Sequence, residues 1–339
     1  MIRSVLIAAA ISTLALQLPF SGRRVPVAVP FLSTIQPGER EIRSLAAAWP
    51  DRIQETGPRG GEWMLRVDGS WYAWAHGRLL PESERWHWEN YAALPFYDYP
   101  RRLPPLPAPD RDAASRLRAR VREEQRRPPR RSEVFLGALL EASNRGETES
   151  HLVRMEISGF TVTLHERLSG PASRVSNELD SLRRSDPQVS SYLHTLAEMN
   201  GYNYRYVEGT RSRSLHSYGT AIDLIPRRRS GGYSYWQWAM DEVPDWWTIP
   251  YEERWSPPAA LVRAFERQGF IWGGKWFFFD TMHFEYRPEL LLMRASPGSP
   301  IGSDDEGEYE ADSRRRQADS RTEASSLSAP SWKAAAADR

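Results

Sequence analysis

The chain predicts an α+β fold, a small antiparallel sheet flanked by helices, preceded by an aromatic-rich N-terminal region. Three observations in its second half lead there. Pro171–Leu182 and Pro187–Met199 carry helical patterns, the second closed by Asn200-Gly201 as a C-terminal stop. Tyr202–Val207 and Thr220–Ile225 follow as short strands. Ser256-Pro257-Pro258 then opens another helix, with Ser256 as its expected cap, Leu261 and Phe265 on one face and Gly269 at its end. Strands are expected at Phe270–Trp272 and Trp276–Phe279, on either side of Gly273-Gly274.

Upstream, Trp63 to His76 contains Asp68-Gly69 between two strand-like runs, a hairpin signal. The aromatics from Trp63 to Tyr99 are expected mainly to fill a small β-rich core, with stacking on glycan rings as the alternative. Pro100, Pro104, Pro105, Pro107 and Pro109 read as an extended linker. Arg111–Arg127 is a charged helix ended by Pro128-Pro129, and Ser132–Ala142 a second one. The basic run Arg126–Arg131 reads as a solvated linker. Leu152–Leu164 alternates around Ser158-Gly159 as two strands.

With 339 residues, the chain is long for one small domain. The expected divisions are 1–20 as a leader, 21–108 as the aromatic region, 109–150 as a charged helical linker, 151–295 as the domain carrying the chemistry, and 296–339 as a disordered tail. Forty-five basic and 44 acidic residues nearly cancel, so nothing electrostatic favours a nucleic-acid partner. The absence of cysteine excludes disulfides, thiolate nucleophiles, Cys-ligated zinc and a lipoprotein anchor. Arg3 followed by an apolar run from Val5 to Leu16 reads as an export signal or an uncleaved membrane anchor, which places the protein in the periplasm or cell envelope.

Two stretches carry the chemistry: Ser214-Leu-His-Ser-Tyr-Gly-Thr-Ala-Ile-Asp223 and Asp280-Thr-Met-His-Phe-Glu285. A catalytic zinc takes about three protein ligands, imidazole nitrogen or carboxylate oxygen, and keeps one position open. On one helix His216 and Asp223 would lie roughly 10 Å apart, too far to share a metal. A turn at Gly219 followed by a buried strand brings them together, and His283 completes the set from a neighbouring strand. Asp280 is a second carboxylate, suited to be the base beside a metal-activated water. Glu285, two residues beyond His283, could orient that imidazole or serve a plain inter-strand role. Ser214 and Ser217 read as turn residues. His76, His87, His151, His165 and His194 have no comparable pattern around them and read as ordinary polar residues.

These two motifs resemble those of the zinc D-alanyl-D-alanine carboxypeptidase family, which includes VanY-like carboxypeptidases, D-Ala-D-Ala dipeptidases and phage L-alanyl-D-glutamate endopeptidases. The resemblance runs from about Gly159 to Leu292 and takes in Tyr204-Arg205, Gly209-Thr210, Gly269–Trp276 and Asp280–Leu290. It implies a Hedgehog/DD-peptidase-like fold. It also implies zinc (Zn2+) on His216, Asp223 and His283, Asp280 as general base and peptidoglycan stem peptides as substrate. Arg205 corresponds to the arginine that steadies the oxyanion, with Arg211 and Arg213 as competitors. Many members have glutamate where this chain has Asp280, and aspartate also occurs in the endopeptidase-like branch. The resemblance therefore leaves carboxypeptidase and L-alanyl-D-glutamate endopeptidase activities both open, besides a non-catalytic zinc module like the Hedgehog signalling domain.

Overall fold

The computed structural model describes residues 38–107, 110–124, 129–207, 210–228 and 231–294. The expected leader and the expected tail from Ser296 lie outside these residues.

The chain begins with α1 (Glu39–Ala48), which buries Ile42 and Leu45. A meander of β1 (Ile53–Arg59), β2 (Glu62–Val67), β3 (Ser70–Ala73) and β4 (Leu80–Pro81) forms the first antiparallel sheet. The β2–β3 hairpin turns at Asp68-Gly69 as expected. Both residues have positive φ (47° and 76°), as a tight two-residue hairpin turn requires. Helices α2 (Arg111–Glu124), α3 (Val134–Leu140) and α4 (Arg145–Ser150) follow, the last capped by Asn144, whose side chain accepts from the Glu147 N–H. The hairpin β5 (Leu152–Ile157) and β6 (Phe160–His165) turns at Ser158-Gly159, again as expected.

Helices α5 (Ser169–Ser185) and α6 (Pro187–Thr195) lead into β7 (Leu196–Asn200), then β8 (Ala221–Pro226), α7 (Trp236–Glu242), α8 (Ala259–Arg267), β9 (Phe270–Trp272), β10 (His283–Tyr286) and α9 (Pro288–Arg294). The antiparallel sheet β7-β8-β10-β9 is the α+β centre anticipated from sequence. Its alternation decides where chemistry can happen. Ile222, Leu224 and Phe284 point into a core formed with Val175 and Leu179 of α5, Val189 and Leu193 of α6, and Leu261 and Phe265 of α8. Phe265 stacks on Phe284 at 4.2 Å between ring centroids. Burying each such side chain is worth about 1.5–3 kcal/mol. A one-residue slip would exchange that face with the one bearing Asp223 and His283.

The opposite face meets the N-terminal half. Ala221, with Leu215 and Tyr218 from the turn before it, packs into a core with Ile42, Leu45, Trp49, Tyr72, Leu94, Phe135 and Leu139. Segment 109–150 therefore lends Phe135, Leu139 and Leu140 to a core that also holds sheet residues. Tyr72 and Trp74 are buried, while Trp86 is exposed.

Four local expectations are corrected. The helix expected over Pro187–Met199 stops at Thr195: Leu196 turns extended (ψ 137°), and Met199 pairs with Leu224 at the sheet edge. With that edge occupied, Tyr202–Val207 is not a strand and wraps the following turn, joined to it by an isolated bridge between Tyr206 and Arg213 and by further hydrogen bonds such as Asn203 N–H to the His216 carbonyl. Ser256 makes no cap, because each residue before a proline is pushed extended; α8 starts only after Pro258 (ψ 145°). Trp276–Phe279 is irregular. Phe277, Phe278 and Phe279 turn onto Trp246, with centroids 5.0, 5.4 and 6.1 Å away, rather than onto a strand partner.

Candidate metal centre and a neighbouring carboxylate

The first ligand stands on a one-turn helix at Leu215–Tyr218. The Ser214 hydroxyl accepts from the His216 N–H at 3.3 Å, and Gly219 ends the turn at φ 69°. Gly219 also lies against β6; a Cβ there would come within 2.7 Å of the His165 nitrogen. The chain then reverses into β8. Asp223 pairs directly with His283 of β10. The expected turn-then-strand geometry is thus the one observed.

The three side chains converge. His216 Nε2 lies 3.2 Å from His283 Nδ1 and 3.1 Å from Asp223 Oδ2, and His283 Nδ1 lies 2.9 Å from Asp223 Oδ1. Among the described residues, this is the group of His and acidic side chains placed to hold a metal ion. Tetrahedral ligands at the usual zinc distances would be roughly 3.3 Å apart, so only small movements separate the triangle from coordination. The far side of each imidazole fits as well. His216 Nδ1 donates to the Gly201 carbonyl at 2.6 Å, and His283 Nε2 donates to Glu285 Oε2 at 3.3 Å. Each such bond leaves the inward nitrogen with its lone pair for a metal.

Gly201 was read as a helix stop. Its role is close approach: a Cβ would sit 2.1 Å from the Thr163 carbonyl oxygen. Only a glycine can pass this close to β6 with its own carbonyl under His216, and a sequence pattern alone carries no sign of it. Glu285 takes the imidazole-orienting position. Glu285→Ala is expected to weaken zinc binding about 10- to 100-fold, read by competition with a chromogenic chelator, with the metal-free fold kept.

Electrostatics agree with the geometry. Burial pushes the Asp223 carboxyl up, but hydrogen bonds from His216 and His283 outweigh it and hold it well below the usual carboxylate range. Burial works against charge on His283, yet Asp223 and Glu285 raise it to about 10. A metal must therefore displace a proton from this imidazole. Asp280 differs. Burial raises it to about 7, with His283, the Met282 N–H and Arg205 drawing it down and Asp223 pushing it up. Its backbone is held by the Gly273 carbonyl, which accepts the Asp280 N–H at 3.1 Å. A Cβ on Gly273 would meet the Asp280 carbonyl at 2.6 Å. The site thus holds one carboxylate kept ionised and another near neutrality.

Among the competing arginines, Arg213 is committed elsewhere. Its guanidinium is buried over the Tyr218 ring at 3.9 Å and donates to the carbonyls of Ala142 and Ser217. Arg211 is exposed. Arg205 is the one at the site, with Nη2 3.6 Å from Asp223 Oδ2 and about half of its side chain exposed. Ser217 is fully buried; its hydroxyl accepts from the Arg205 N–H at 2.7 Å and donates to the Arg205 carbonyl at 2.5 Å, so it braces Arg205 rather than serving as a nucleophile.

Two imidazoles and a carboxylate converging beside a second, half-buried carboxylate define a metallohydrolase type of site. Residues 208–286 match the family model of D-alanyl-D-alanine carboxypeptidase (Peptidase_M15_4), in agreement with the resemblance carried by the two motifs. The matched span contains the triad and Asp280 and starts just after Arg205. It supports a peptidoglycan-related metallopeptidase. Residues 41–96 match a domain of unknown function (DUF8518). No curated protein and no solved structure matches the chain.

Proposed function

We propose that the protein is a zinc-dependent D-alanyl-D-alanine carboxypeptidase acting on peptidoglycan stem peptides in the cell envelope. The observation that carries this reading is the convergence of His216, Asp223 and His283 beside Asp280, within the span matching that family. A zinc ion on the triad would supply Lewis acidity, making water a nucleophile near neutral pH and polarising the scissile carbonyl. Asp280 takes the proton from the attacking water and delivers it to the leaving amine. A carboxyl raised to about 7 suits both transfers near neutrality. Arg205, beside the triad and open to solvent, is the fixed donor for charge developing on the carbonyl oxygen. Glu285 and the Gly201 carbonyl keep the imidazoles aimed.

Envelope location rests on the substrate and on the N-terminal charge pattern. Among the described residues no helix is long and apolar enough to cross a membrane. The test is incubation with a pentapeptide ending in D-Ala-D-Ala, with and without chelator, and mass analysis of the products. The expected result is release of one D-alanine, lost on chelation and restored by zinc. Cleavage between L-alanine and D-glutamate would replace this reading with the endopeptidase one. Sacculus binding without any cleavage would leave a zinc-containing wall-binding module.

A further inference from the structure

Hydrogen bonds join the N-terminal half to the segment between β9 and β10 that carries Asp280, and to its neighbours in α8 and after β10. The Trp276 indole donates to the Tyr97 hydroxyl at 2.6 Å, and the Trp276 ring stands 5.5 Å from the His283 ring. The Tyr99 hydroxyl is buried; it accepts from the Trp272 N–H at 3.0 Å and donates to Glu266 Oε1 at 2.5 Å. Lys275, also buried, donates to the same Glu266 oxygen at 2.7 Å and to the carbonyls of Pro100 and Arg101 at 3.1 and 2.9 Å. Trp272, Lys275 and Trp276 flank the Gly273-Gly274 turn, whose Gly273 carbonyl holds the Asp280 N–H. On the other side, Arg287 donates to the Pro95 carbonyl at 2.7 Å while its Nη1 lies 3.6 Å from Glu285, the partner of His283.

The pattern is not that of two modules touching. A surface of contact between independent units would consist of exposed, replaceable pairs worth little. Here, buried hydroxyl, ammonium and carboxylate groups bond across the junction: Trp272, Lys275 and Trp276 lie on the stretch that leads to Asp280, Glu266 lies near the end of α8 just before that stretch, and Arg287 follows β10 and His283. Losing the Tyr97 or Tyr99 hydroxyl takes that acceptor from the Trp276 indole or from the buried Trp272 N–H.

We infer that the segment Pro95–Arg101, delivered by the N-terminal unit, is a built-in clasp whose Tyr97 and Tyr99 hydroxyls position the Asp280 turn and the ring beside His283. The clasp rests on the proposed reading in that Asp280 and His283 are the groups it serves. The N-terminal unit is then a scaffold for the site rather than a detachable wall-binding module. Tyr97 and Tyr99 are positioning residues: they act through Trp276 and through Trp272 and Glu266.

Tyr97→Phe and Tyr99→Phe each remove one hydroxyl and keep the ring, so each reads the clasp even if the other fails to fold. Hydrogen exchange of the metal-free proteins is the first measurement. Residues 270–283 are expected to exchange about tenfold faster, with α5 and α6 unchanged. Zinc titration is the second, and affinity is expected to fall about three- to tenfold while the unfolding temperature of the metal-free protein stays within a few degrees. Unchanged exchange over 270–283 in both variants overturns the clasp. Uniformly faster exchange over the whole chain overturns it too, since that is a general loss of stability. If wild-type protein bound no zinc, the proposed function would fall, while the exchange measurement would still decide the clasp.

Discussion

Asp280→Asn should lower turnover on a D-Ala-D-Ala peptide by about 10²- to 10⁴-fold, the usual worth of a positioned general base. Zinc content should stay the same, because Asp280 is not one of the three converging side chains. Asparagine keeps the shape and can still accept from the Met282 N–H, 3.3 Å from Asp280 Oδ1. What it removes is the capacity to hold and return a proton. The pH dependence follows with a definite sign. The base must be ionised, so kcat/KM rises with pH through the Asp280 pKa. Burial places that pKa at about 7 without metal, and a nearby dication can only lower it. The acidic limb should therefore lie at or below about 7 and vanish in the variant. Steady-state kinetics across pH, with metal analysis of the same samples, checks both. Full activity in a zinc-loaded Asp280→Asn protein would remove Asp280 from the mechanism.

Asp223→Ala should weaken zinc binding on the order of 10³-fold, about a third of the free energy of a typical protein zinc site. Activity should fall to background with it. The fold should survive, because none of the three converging side chains belongs to the hydrophobic cores on either side of the sheet. The unfolding temperature of the metal-free variant should lie within a few degrees of metal-free wild type. Isothermal titration with zinc, alongside thermal unfolding, checks the two halves together. Collapse of the metal-free fold would mean that the Asp223 pairs with His216 and His283 are structural, and the site not primarily catalytic.

The candidate site was legible because its constraints are local. Gly219 announces a turn, Ala221-Ile222 a buried strand, and His283 with Asp280 a second strand and its approach; the pairing of Asp223 with His283 follows. Glu285 was legible as a residue on the right face with two open roles, orienting the imidazole or pairing between strands, and the χ angles of two side chains decide between them. The misreadings share one physical origin. Leu196–Asn200 is compatible with a helix until the open edge of β8 is seen, and Tyr202–Val207 is compatible with a strand until β7 takes that edge. Trp276–Phe279 is an aromatic run compatible with a strand, yet the packing of Phe277, Phe278 and Phe279 against Trp246 decides its path. The clasp was invisible for the same reason. Tyr97 and Trp276 meet across 179 positions of sequence, and nothing near either announces the other.

The most direct test of the account is the zinc-edge X-ray absorption spectrum of the zinc-loaded protein beside that of His283→Ala. The account predicts a four-coordinate zinc with two imidazoles and oxygen ligands at about 2.0–2.2 Å, reduced to one imidazole in the variant. A wild-type protein that holds no zinc, or a spectrum unchanged by His283→Ala, would contradict it.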